Sequence, residues 1–148
     1  MSAASGRLAP PGGAPPPERV TLSDGTAIEL EPLAAEVCRR YREEYPDDRN
    51  RYGEAGDAWC RHDNRHLLNW AALSISGFVD FDAKVSWLAQ VLEARAFPLA
   101  RLARNLELAA DVVEAELGAA HADLAATLAD GARLVHATPS FLDPQAQS

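Results

Sequence analysis

Trp59-Cys60-Arg61-His62-Asp63-Asn64-Arg65-His66-Leu67-Leu68-Asn69-Trp70 is the most informative run in the chain. At about 100° per residue, a helix places Trp59, His62, His66, Asn69, Trp70 and Leu73 on one face. Two indoles, two imidazoles and an amide on one stripe are an unusual mixture for a bundle helix. The rest of the chain reads as helical scaffold, so this run decides both the fold class and where a site is to be sought.

Working outward, the helix that carries the run is expected over about 57–76, with Gly77 ending it. Asp47 to Gly56 reads as a polar connection with room for one helical turn. The first helix is expected over 31–45: Glu31-Pro32 suits a start, Leu33, Val37 and Tyr41 give a stripe, and Pro46 stops it. Upstream, Asp24-Gly25 between Val20-Thr21-Leu22 and Thr26-Ala27-Ile28 predicts a hairpin within 20–30. Residues 1–19 hold Pro10-Pro11-Gly12-Gly13-Ala14-Pro15-Pro16-Pro17 and almost nothing large and apolar, the composition of a disordered tail. A polyproline-II ligand for a partner domain is the functional alternative there, although the run lacks a spaced pattern with a flanking basic residue.

Downstream, a third helix over 80–96 places Phe81, Val85, Leu88 and Leu92 on one face, which Trp87 and Val91 widen. Phe97-Pro98 breaks the chain. A fourth helix over 98–117 repeats Leu99, Leu102, Leu106, Ala110, Val113 and Leu117 at helical spacing, with Gly118 as its stop. A fifth over 119–136 uses Leu124, Leu128, Ala132 and Val135. Thr138-Pro139 ends it, and 138–148 reads as a flexible polar tail anchored at most by Phe141 and Leu142. The expected fold is all-α: a single five-helix bundle, globin-like packing being one arrangement of it, with a short N-terminal β-hairpin and a disordered N-terminal tail.

With 148 residues, 47% of them hydrophobic, the chain has material for one core. Its net charge is -8, and Lys84 is the one lysine among fourteen basic residues. That acidity argues against a nucleic-acid footprint or binding to anionic lipid. No apolar run approaches the roughly 20 residues that span a bilayer, and the start lacks a secretory signal pattern. The expected location is cytoplasmic, so Cys38 and Cys60 are read as two free thiols, with a disulfide as the alternative.

His62 and His66 stand at i and i+4, the spacing at which two imidazoles share a divalent metal. Asp63 lies about 60° around from His66, placed to orient an imidazole or add an oxygen ligand. The glutamate of a His-Glu-x-x-His motif is missing, and His121 and His136 belong to the last helix. Half-buried imidazoles hydrogen-bonded beside the tryptophans account for the pair without a metal. Likewise Trp59 and Trp70 are explained by packing, the sharper reading being a flat pocket for a planar apolar ligand or tetrapyrrole, haem or corrinoid, with His62 or His66 as axial ligand. The candidate ligand-binding set is Trp59, His62, His66, Asn69 and Trp70, and the candidate metal pair is His62 and His66. Cys60 has no general base at a fixed distance. Phosphate loop, Gly-x-Ser-x-Gly elbow and Cys-x-x-Cys motif are all missing. Glu107, Asp111 and Glu114 read as a solvated acidic ridge, since a di-iron bundle needs Glu-x-x-His pairs.

Trp87, Val91-Leu92, Arg95, Pro98, Leu102 and Asn105-Leu106-Glu107 resemble a helical module of bacterial cobalamin-binding and related sensory or regulatory proteins. Tyr52-Gly53, Gly56, Cys60, Asp63 and Leu68 extend the resemblance, which covers roughly Leu33 to Leu117. The chain departs from that module in having its imidazole at His66 instead of at the place of Leu67. It also lacks the Asp-x-His-x-x-Gly loop of the cobalamin-binding domain. What the resemblance implies is a sensor or cap role, exerted on another chain or on a ligand held elsewhere.

Together these features favour a non-enzymatic regulatory or sensory module that acts through a helix face on a protein partner or as a homodimer. The narrow stripes of the fourth and fifth helices are the expected contact surface, and no cofactor is the first expectation. The two alternatives are the planar-ligand binder and a small metal-dependent enzyme.

Overall fold

In the computed structural model, which describes residues 15–142, the chain enters as a two-stranded antiparallel ribbon. Strand β1 (Arg19–Thr21) pairs with β2 (Ala27–Glu29), Val20 opposite Ile28. Asp24 makes the turn by accepting from the Thr26 N–H at 2.9 Å, and Gly25 takes φ 90°. So short a ribbon is marginal alone. It persists because Val20 and Ile28, on one face, are buried in the helical core.

Five helices follow: α1 (Leu30–Glu44), α2 (Asp47–Ile75), α3 (Phe81–Ala94), α4 (Leu99–Leu117) and α5 (Ala122–Ala137), the last entered through a 3₁₀ turn at Ala119–His121. This is the all-α five-helix fold with its N-terminal hairpin that the sequence predicts. The expected apolar stripes build its core: Leu33, Val37 and Tyr41 of α1, Phe81, Val85 and Leu88 of α3, Leu102, Leu106 and Val113 of α4, and Leu124, Leu128 and Val135 of α5. α4 lies along α5 and against α1. Gly131 lets α5 pass close to α3, since a Cβ there would stand 2.8 Å from the Phe81 ring. No described helix is long and apolar enough to cross a membrane.

The elements depart from expectation in four places. First, α2 starts at Asp47, ten residues before the predicted Asp57, so the expected polar connection is helix. Gly53 and Gly56 cost about 1 kcal/mol each there. Arg101 of α4 donates to Asp47 at the start of this segment at 3.0 Å, and Arg42 of α1 pairs with Asp57 just beyond it. Second, the predicted N-terminal tail is held at its inner end. Pro16 is buried, and Arg65 Nη2 donates to the carbonyls of Pro16 and Pro17, both at 3.1 Å. The rest of that tail, 1–14, lies outside the described residues, as does 143–148 of the C-terminal one.

Third, Phe141 is buried and fixed, because Glu93 accepts from its N–H and from the Ser140 hydroxyl, both at 2.8 Å; Leu142 stays exposed. Fourth, the cysteines expected as free thiols are joined. A Cys38–Cys60 disulfide ties α1 to α2, with the Cα atoms 6.0 Å apart. The spacing of 22 residues carries no sign of this, because the contact depends on which faces the two helices turn to one another.

The ends of α2 and α3 share one design and differ in one residue. At α2 the Gly77 N–H donates to Ser74 and the Phe78 N–H to Leu73, with Gly77 at φ 82°. At α3 the Ala96 N–H donates to Glu93 and the Phe97 N–H to Leu92, but the left-handed position is Ala96 at φ 64°. Both are Schellman closures, and an alanine there carries steric strain that glycine does not. Ala96→Gly is expected to raise stability by about 0.5–1 kcal/mol in chemical denaturation. A loss of stability would mean that the turn is not held at this φ.

Candidate functional site

Apolar residues on the inner side of α2 (Leu67, Leu68, Ala71 and Ala72) fix how the helix is rotated. The Trp/His stripe is thereby turned toward α3. The structure brings the predicted residues together as a stack of rings. His62 meets His66 edge-on, with centroids 4.8 Å apart, and His66 lies flat on Trp70 at 5.1 Å and 25°. Trp70 then meets the edge of Trp87 from α3 at 6.4 Å, and the Lys84 ammonium sits 5.5 Å over the Trp70 ring. Asn69 is half-buried at the margin of the stripe.

Trp59 stands apart from this stack. Its eleven-residue separation from Trp70 is about 16 Å along a helix, and its ring is covered by the Arg95 guanidinium at 5.7 Å. The two indoles therefore do not wall one flat slot. His66, at 8% exposure, gives its ring face to Trp70. Among the described residues no group of three His, Cys, Asp or Glu is placed to hold a metal ion. His62 has a carboxylate neighbour: its Nδ1 lies 3.3 Å from Asp63 Oδ1.

Asp63 is the electrostatic oddity of the seam. Both it and His62 have largely buried side chains. Burial pushes the Asp63 carboxyl up to about 6, against the downward pull of the His62 hydrogen bond and of the His62 and Arg95 charges. The raised value stores a pH dependence in the fold, since the folded chain binds this proton more tightly than the unfolded chain.

Trp87 corrects the sequence reading. Expected to widen the buried face of α3, it is 44% exposed. Phe81, Val85, Leu88 and Ala89 are enough to fill that helix's interior side, which leaves Trp87 on the flank. Phe78, in the turn between α2 and α3, is 75% exposed.

A second polar cluster escaped the sequence reading. Asn64 of α2 and Asn105 of α4 exchange amide hydrogen bonds at 3.0 and 2.9 Å, both residues buried. The Asn64 Nδ2 also donates to the Cys60 carbonyl at 3.0 Å and lies 3.4 Å from Cys60 Sγ and 3.6 Å from Cys38 Sγ. The available signal was an asparagine among the apolar positions of each helix: Asn64 between Cys60 and Leu67-Leu68, Asn105 between Leu102 and Leu106. On the surface, Arg104 joins Glu44 to Glu107 and holds both carboxyls below their usual range. His136 lies 3.1 Å from Glu107, so the expected acidic ridge is partly paired.

No family model, curated protein or solved structure matches the chain.

Proposed function

We propose that the chain is a non-enzymatic regulatory or sensory module that works through protein–protein contacts at its α2–α3 aromatic face, with a second copy of itself as partner. The observation that carries this reading is Trp87, an exposed indole backed by a packed ring stack. The interior does not use its outer surface, and covering it removes apolar area from water. Tryptophan is the residue type most concentrated at the energetic centres of interfaces. The His66–Trp70 stack behind it limits how far the indole must be ordered on binding.

The location differs from the one the sequence offered. The stripes of α4 and α5 are buried within the chain, so contact through them would require opening the core. A regulatory role also accords with the sensory module that the sequence resembles.

The test is light scattering across a concentration series. The wild type is expected to form a dimer, and Trp87→Ala, folded by circular dichroism, to weaken it about 30-fold, the loss of an interface centre worth about 2 kcal/mol. A wild type that is monomeric at every concentration, or a variant that dimerises unchanged, contradicts the proposal.

A further inference from the structure

We propose that the Cys38–Cys60 disulfide is a thiol–disulfide exchange site, opened by an external dithiol that attacks Cys60, with Asn64 as the donor that stabilises the departing sulfur. Three observations converge here. Cys38 is fully buried while Cys60 is only half-buried, so Cys60 is the side of the bond nearer to solvent. Asn64, 1% exposed, holds its amide nitrogen beside both sulfurs, at 3.4 and 3.6 Å. That nitrogen has two hydrogens; Asn105 Oδ1 takes one, and the other is shared between the Cys60 carbonyl and the sulfurs. A disulfide sulfur accepts a hydrogen bond weakly and a thiolate accepts it strongly, so the contact strengthens as the bond opens.

The exchange is balanced in two steps. The reductant's first thiolate forms a bond to Cys60 Sγ, and Cys38 Sγ leaves with the electron pair toward the Asn64 N–H. The reductant's second thiolate then attacks its own sulfur in the mixed disulfide and releases Cys60 as thiolate. The Cys38–Cys60 pair gains two electrons and takes up two protons as thiols, and the dithiol becomes a disulfide. The outcome is release of the covalent tie between α1 and α2, making the hold of α1 sensitive to the thiol poise around the protein.

The test treats the native protein with reduced glutathione, quenches in acid and maps the adduct by mass spectrometry. Glutathione is expected on Cys60, with Cys38 free and a rate that rises linearly with thiol concentration. In folded Asn64→Ala the rate is expected to fall about tenfold, which is about 1.4 kcal/mol of barrier. Four outcomes would overturn the proposal: no reaction in the native state, an adduct on Cys38, a rate independent of thiol concentration because unfolding limits it, or an unchanged rate in the variant. Should Asn64→Ala fail to fold, the adduct map and concentration dependence of the wild type decide alone.

Discussion

Asp63→Asn is expected to stabilise the folded chain at pH 8 by up to about 3 kcal/mol and to leave it nearly unchanged near pH 4. The carboxyl has a pKa of about 6 in the folded chain against a usual 3.8, a shift whose largest cause is burial. A raised folded value means that the contribution to stability is fully present below about pH 4. It is lost as pH rises through about 6, where the folded chain must ionise a buried group. Asparagine keeps the shape and carries no charge, so it escapes that loss. The shift already includes the opposing pull of His62 and Arg95, so it measures the net effect. Urea denaturation of both proteins from pH 4 to 8 isolates the effect as the difference between two curves, because the surface carboxylates titrate in both. Parallel curves would show that water reaches Asp63 in the folded state.

The second large effect is expected at the asparagine pair. Asn105→Leu leaves the buried Asn64 oxygen without the 2.9 Å bond that it accepts, and Asn64→Leu strands both polar atoms of the Asn105 amide. Each single change is expected to cost about 2–3 kcal/mol, since a buried polar group that loses its partner pays its full desolvation cost. Replacing both by leucine removes the stranded partner as well, so the double variant is expected to be more stable than either single one. Strictly additive losses in that double-mutant cycle would mean that the two amides do not depend on each other.

These two clusters show what the sequence made legible. Local grammar was readable: Asp24-Gly25 turned the ribbon, Pro46 and Gly118 bounded helices, and the 3-4 repeat from Leu99 to Leu117 put α4 in the core. The run from Trp59 to Trp70 gathered its imidazoles and Trp70 on one face, as helical geometry requires. Tertiary pairing was not readable. Asn64 meets Asn105 across 41 residues, and Cys38 meets Cys60 through the mutual rotation of two helices. The ten extra residues at the start of α2 include Gly53 and Gly56, so propensity counted against helix there, while Arg101 of a distant helix meets Asp47 at their start. Trp87 was misplaced for a related reason. Periodicity ranks the faces of a helix, but only the neighbours show how many residues the interior admits.

The Trp/His stripe thus changes meaning once its surroundings are known. Its rings occupy one another from His62 to Trp70, and the Trp87 indole that meets them from the next helix is exposed. The most direct measurement keeps Trp87 as the single fluorophore, in the Trp59→Phe/Trp70→Phe variant, and follows emission and acrylamide quenching as concentration rises. A blue shift with falling quencher access, tracking the mass change in light scattering, is the result expected if Trp87 is covered by the second copy. Association with Trp87 emission and quenching unchanged would place the interface elsewhere and contradict the account.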